Sequence, residues 1–169
     1  MKKFHAVKGT FLTETHMEMR ISFCNSFLRW NHQYQMAIRW SDESTFKVEE
    51  LFKHQPRTNY SKKNQFARKK IIPRKKAINV WAAIRGDGKV IFELIDGEQK
   101  SEKYIQIILN KFPEMDFKNS FFMQDGAGIH TSSDAIEWLD FLWKDRWIGL
   151  KSTRLVFPPY SVDLTPMDF

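Results

Sequence analysis

The chain has 169 residues, 42% of them hydrophobic, which is enough for the core of one domain and excludes an intrinsically disordered chain. Its single cysteine, Cys24, excludes an internal disulfide and a cysteine-rich zinc site, and it favours a reducing compartment. The formal net charge of +7 favours a polyanionic partner. The sequence shows neither a signal peptide nor an apolar run long enough to span a bilayer, so we expect no membrane partner.

The first predicted element is a helix over residues 13–29. Its apolar residues Met17, Ile21, Cys24 and Leu28 recur at helical spacing and would line one face. This face is expected to pack on the rest of the domain.

Strands are predicted after this helix. Residues 35–40 alternate as a strand does, and Phe46 and Val48 indicate a second, separate strand. The stretch "AINVWAAIRGDGKVIFELIDG", residues 77–97, predicts a hairpin, because two apolar runs are joined through a Gly-Asp-Gly turn.

The second half alternates helices with strands. Ser101 and Ser133 are each expected to cap a helix, and a buried strand lies between these helices and ends near Asp125. A last short strand is predicted in "STRLVF", residues 152–157. This order of elements predicts one α/β or α+β domain with a mixed sheet.

Two acids occupy the same kind of position. Asp42 follows the strand "MAIRW", and Asp125 follows the strand "SFFMQ" and precedes the small loop Gly126-Ala127-Gly128. Carboxylates at adjacent strand ends can share a Mg²⁺ ion, which prefers oxygen ligands. For either acid taken alone, a turn residue or a helix cap is the alternative interpretation.

Three motifs occur in a fixed order, and together they carry a family resemblance. They are "SDESTF" (41–46), "QDGAGIHT" (124–131) and "PPYSVDLTPMDF" (158–169). Over residues 12–169 the chain resembles the catalytic domain of mariner-superfamily transposases, the DDE/D group. The resemblance implies an α/β, RNase H-like fold, a mixed five-stranded sheet flanked by helices.

The resemblance also implies a site. Asp42, Asp125 and Asp168 would bind two Mg²⁺ or Mn²⁺ ions, Asp42 bridging them, and would cleave and join DNA strands. His130 matches the histidine of the second motif and would orient a phosphate or a metal-binding carboxylate, although it could equally just begin the next helix. Glu43 is expected on the opposite face of the strand and is not taken as a ligand. The expected partners are DNA and a candidate second copy of the chain, with no small-molecule cofactor.

The motifs depart from the family pattern at Gly126, Gly128 and Val162, where asparagine and two prolines are usual. Thr165 is expected to cap a first helical turn that holds Asp168, and the rest of that helix and the family's N-terminal helix-turn-helix region are expected to be missing. We therefore expect a single domain over residues 1–169, with a leading helix in 1–30, a core in 35–169 and impaired activity. Two alternatives are a catalytically inert DNA-binding relic and an unrelated RNase H-like nuclease, against which the third motif argues.

A basic segment, "KKNQFARKKIIPRKK", covers residues 62–76 and contains eight cations and no acid. It is expected to contact the DNA backbone, and it also resembles a nuclear import signal, which predicts a nuclear location. The alternative is a solvated basic loop. The cations are Lys62, Lys63, Arg68, Lys69, Lys70, Arg74, Lys75 and Lys76.

Overall fold

A computed structural model describes residues 11–47, 77–97 and 100–169 as a sheet with helices on both faces. The strands are β1 Ile38–Lys47, β2 Ala77–Arg85, β3 Val90–Ile95, β4 Phe121–Met123, β5 Trp147–Gly149 and β6 Leu155–Val156. The helices are α1 Glu14–Leu28, α2 His32–Met36, α3 Ser101–Lys111 and α4 Ser133–Trp143. Short 3₁₀ turns cover Phe112–Glu114, Val162–Leu164 and Pro166–Asp168. No helix among these residues is long and apolar enough to cross a membrane.

The sheet has six strands in the order β3-β2-β1-β4-β5-β6. The pairs β1–β2 and β2–β3 are antiparallel, and the pairs β1–β4, β4–β5 and β5–β6 are parallel. The predicted mixed sheet is confirmed, but the predicted count of five strands is wrong. Strand β5, Trp147–Gly149, is the strand that the sequence analysis does not predict.

One face of the sheet is covered by α3 and α4. Phe122 of β4 and Trp147 of β5 meet Trp143 of α4 there, and the Phe122 and Trp143 rings stack at 4.7 Å between centroids. All three side chains are at most 1% exposed. Together they form the centre of the larger of two apolar clusters.

The opposite face is covered by α1. Phe23 is buried there and its ring meets Phe157 edge-on at 5.2 Å, while Phe27 packs beside it. The predicted face of α1 is wrong in part, because Met17, Ile21 and Leu28 are 45%, 62% and 75% exposed. A helix turns only one face to the sheet, and the two phenylalanines at i and i+4 bury more area than the aliphatic set.

The helix starts differ from prediction by one residue at three places. Ser132, not Ser133, caps α4 by accepting a hydrogen bond from the Ala135 amide. Lys100 precedes α3, so Ser101 is its first helical residue and makes no side-chain cap. Helix α1 begins at Glu14 instead of residue 13, because Thr13 is its cap.

Strand β1 is longer than expected. Residues 38–47 form one continuous strand, although the sequence predicts two separate strands. Helix α2 occupies the first part of the region predicted as the strand 35–40. Asp42 therefore lies inside a strand, and the prediction that it ends one is wrong.

Candidate functional site

Asp42 lies just beyond the point at which β1 stops pairing with β4 and pairs with β2 alone. The last residue of β1 in register with β4 is Trp40, opposite Met123, while β1 continues to pair with β2 as far as Lys47. Asp42 is thus two positions beyond the end of the β1–β4 ladder. It is half-buried, and its Oδ1 accepts a 2.8 Å hydrogen bond from the Glu43 amide.

Asp125 occupies the matching position on the neighbouring strand, two residues beyond Met123. Its Oδ1 accepts hydrogen bonds from the Ala127 amide at 3.0 Å and from Nδ1 of His130 at 2.6 Å. The side chain remains 49% exposed. One oxygen of Asp125 is therefore held by the loop, while the carboxylate stays accessible.

His130 lies between two carboxylates. Its Nδ1 faces Asp125, and its Nε2 lies 3.1 Å from Oε1 of Glu43. Burial by itself lowers the pKa of His130, but the hydrogen bonds and negative charges of the two carboxylates outweigh it and raise the pKa to about 9. At neutral pH the ring is a cation that donates from both nitrogens.

A second buried network holds the loop that carries His130. The amide nitrogen of Gln124 donates to the backbone carbonyl of His130 at 2.9 Å, and the Tyr104 hydroxyl donates to the amide oxygen of Gln124. The centroids of the Tyr104 ring and the His130 imidazole are 4.4 Å apart. Residues 124–130 are therefore fixed from α3 as well as from β4.

Asp168 comes from a third element, the 3₁₀ turn Pro166–Asp168. Thr165 caps this turn by accepting a hydrogen bond from the Met167 amide, as the sequence predicts. The turn contacts β1, the strand of Asp42. Asp168 itself is exposed.

Negative charge from neighbouring carboxylates raises the pKa values of Asp42 and Asp168. Burial is the main cause that raises the pKa of Asp42 to about 6, and the charges of Glu43, Asp168 and Asp125 add to the increase. Burial and the charge of Asp125 also raise the pKa of Asp168. Burial alone would raise the pKa of Asp125, but the hydrogen bond and charge of His130 outweigh it, so that pKa lies below its ordinary value.

This donor set fits a hard divalent cation by its chemistry, because Mg²⁺ and Mn²⁺ take carboxylate oxygens and a cation would relieve the mutual repulsion. The three aspartate side chains do not form a complete metal site in this structure. Within residues 11–47, 77–97 and 100–169, no three His, Cys, Asp or Glu side chains lie close enough together to hold a metal ion.

The basic segment 62–76 lies outside the described residues, as does Val48. The expectation of DNA contact by its eight cations therefore stays a prediction, and the same holds for a nuclear location.

Comparison with solved structures identifies the fold. The chain matches the "Mos1 transposase paired-end complex with left transposon end" with a TM-score of 0.68 and 22% identity over 99% of its length. It matches the "Mos1 mariner paired end complex with Mn" with a TM-score of 0.67 and 24% identity over 100% of its length. It covers 50% of each matched chain. No family model and no curated protein matches the sequence.

The fold of this chain is thus the RNase H-like fold of Mos1 transposase, matched over nearly all of its length. The resemblance inferred from the three motifs is confirmed for the fold. The chain spans about half the length of the matched chains.

Sequence reasoning missed Glu43. Strand alternation correctly separates it from Asp42, but it does not reveal that His130 reaches Glu43. The only signal in the sequence was that Glu43 belongs to the same motif as Asp42.

Proposed function

We propose that this chain is a mariner-like transposase catalytic domain that cleaves and joins DNA strands by phosphoryl transfer. The observation that carries the proposal is that Asp42 and Asp125 lie at matching positions on two neighbouring parallel strands, each two residues beyond the Trp40–Met123 pair, while the turn that holds Asp168 contacts the strand of Asp42. The likeness of the whole chain to Mos1 transposase–DNA complexes supports the same function.

The three aspartates would hold Mg²⁺ or Mn²⁺. Two of the matched structures are Mos1 paired-end complexes with Mn and with Mg, which supports this choice for the present chain. The bound ions would supply Lewis-acid stabilisation of the charge that develops on the phosphate oxygens. The chain's own residues orient the carboxylates: β1 places Asp42, the β4 tip places Asp125, and the turn after Thr165 places Asp168.

DNA would be held by the positive charge of the domain, including the basic segment 62–76. This segment would also direct the protein to the nucleus. A homodimer would supply two such sites for the two ends of a transposable element.

A second candidate function, a catalytically inert DNA-binding relic, is favoured by two observations. Among the described residues no three ligand-type side chains are gathered for a metal ion, and Asp168 is exposed. This candidate predicts DNA binding without cleavage.

Nicking of a supercoiled plasmid in Mn²⁺ distinguishes the two functions. A transposase should nick the plasmid, and Asp42→Asn and Asp125→Asn should each reduce the rate by about 100-fold or more. The control Asp134→Asn, at an exposed aspartate of α4, should nick as the parent chain does. Retarded plasmid mobility without nicking, unchanged by all three substitutions, would instead support the inert relic.

A further inference from the structure

Glu43, Asp125 and His130 form a continuous line of hydrogen bonds across the tip of the sheet. Glu43 comes from β1, and its side chain is 9% exposed. His130 is 2% exposed at its side chain and touches one carboxylate with each ring nitrogen, at 3.1 Å to Glu43 and 2.6 Å to Asp125. The line thus runs from a buried acid to an accessible one.

The imidazole has no second orientation that preserves these contacts. A flip of the ring would place carbon atoms where the two nitrogens now face oxygens. The Tyr104 ring packs against one side of the imidazole, and Gln124 holds the backbone carbonyl of His130. The pairing with Glu43 therefore fixes the direction in which Nδ1 points.

That direction decides the orientation of Asp125. Its Oδ1 is shared by the His130 ring and the Ala127 amide, so the rotation of the carboxylate is set by both donors. Without Glu43, Nε2 would be a buried donor lacking its partner, and the ring would shift to find one. Groups that orient metal ligands in this way contribute to metal affinity without touching the metal.

We propose that Glu43 is a positioning residue for Asp125 and acts through His130. The inference rests on the proposed function in assigning Asp125 to the divalent cation. The alternative mechanism is a general charge effect. In that mechanism Glu43 would attract the cation through space, and His130 would have no part in it.

A double-mutant cycle on Mn²⁺ binding separates these two mechanisms. The variants are Glu43→Met, His130→Asn and their combination in the full chain, with affinity measured by electron paramagnetic resonance and folding checked by thermal unfolding. Glu43→Met removes the acceptor that meets Nε2, whereas a glutamine would keep one. His130→Asn keeps a donor near the place of Nδ1 and removes the group that meets Glu43. The control is Glu18→Met, at an exposed acid of α1.

We expect Glu43→Met to weaken Mn²⁺ binding about tenfold in the parent chain and to have no further effect in the His130→Asn background. Glu18→Met should leave the affinity unchanged. An equal loss in both backgrounds would show that Glu43 acts through its charge alone and would overturn the proposal, as would no loss in either.

A spectroscopic test examines the positioning role of Glu43 independently of the proposed metal binding. In metal-free protein the Nδ1 proton of His130 should give a far-downfield, slowly exchanging resonance that Glu43→Met shifts or broadens and Glu18→Met leaves in place. If Asp125→Asn does not weaken Mn²⁺ binding, the metal assignment fails and this resonance alone decides the role of Glu43. An unchanged resonance in Glu43→Met would overturn the positioning role.

Discussion

Arg20 in α1 donates two hydrogen bonds to the carboxylate of Asp163, at 2.8 and 2.6 Å, across 143 positions of the chain. The same guanidinium donates to Ser161 at 2.9 Å. Asp163 and Ser161 belong to the third motif, which continues into the turn of Asp168. The first helix thereby fixes the segment that carries the third carboxylate.

Replacement of Arg20 by methionine should loosen this segment. The pair is partly exposed, so we expect a loss of about 1 kcal/mol in the free energy of unfolding. The larger effect should be local, as faster hydrogen exchange at the amides of Leu164 and Met167. Arg29→Met, at an exposed arginine after the same helix, is the matched control. Equal exchange rates in the two variants would contradict the anchoring role.

Stability should depend on pH through His130. Its pKa is about 9 in the folded chain and about 6.5 when exposed, so its stabilising contribution is complete below pH 6.5 and is lost as the pH rises to 9. The expected loss is on the order of 3 kcal/mol. Asp42, with a pKa of about 6, is largely ionised throughout this window. Chemical unfolding between pH 7 and 10 should show this loss of stability with rising pH in the parent chain and not in His130→Asn. Parallel curves for the two proteins would contradict the role of His130.

Gly149 in β5 should not tolerate a side chain. A Cβ there would lie 2.8 Å from the buried Trp147 ring and 3.3 Å from Cγ of Gln124. Gly149→Ala should cost about 1–3 kcal/mol, because neither neighbour can move freely. Gly128→Ala, where a Cβ meets nothing within 4 Å, is the control and should be close to neutral. Chemical denaturation measures both, and similar stabilities would contradict the packing at β5.

The basic segment should bind phosphates of the DNA backbone. Replacing Lys69, Lys70, Arg74 and Lys75 by glutamine should weaken DNA binding and reduce the slope of log affinity against log salt by up to about 0.9 for each phosphate that is no longer neutralised. The measurement is fluorescence anisotropy of a labelled duplex between about 50 and 200 mM salt. A salt slope that stays the same would mean that other parts of the chain bind the phosphates.

The sequence predicts those parts of the molecule that depend on local chemistry. The hairpin around Gly86 and Gly88 and the Thr165 cap both follow from residue types at short spacing, and the structure agrees. The RNase H-like fold follows from the three motifs rather than from hydrophobic periodicity.

The features that the sequence does not predict depend on contacts between residues far apart in the chain. Met17 and Ile21 have the spacing of a buried face, but Phe23 and Phe27 pack against the sheet instead. The role of Glu43 could not be predicted because His130, 87 positions away, determines it.

The central claim is that Asp42 and Asp125 share a divalent cation. The most direct measurement is the anomalous difference map of crystals of the full chain soaked in Mn²⁺. We predict a peak about 2.1 Å from a carboxylate oxygen of each aspartate, lost in Asp125→Asn crystals. Saturating Mn²⁺ with no peak at these two carboxylates, in crystals where Glu43 and His130 keep their contact, would contradict the shared site.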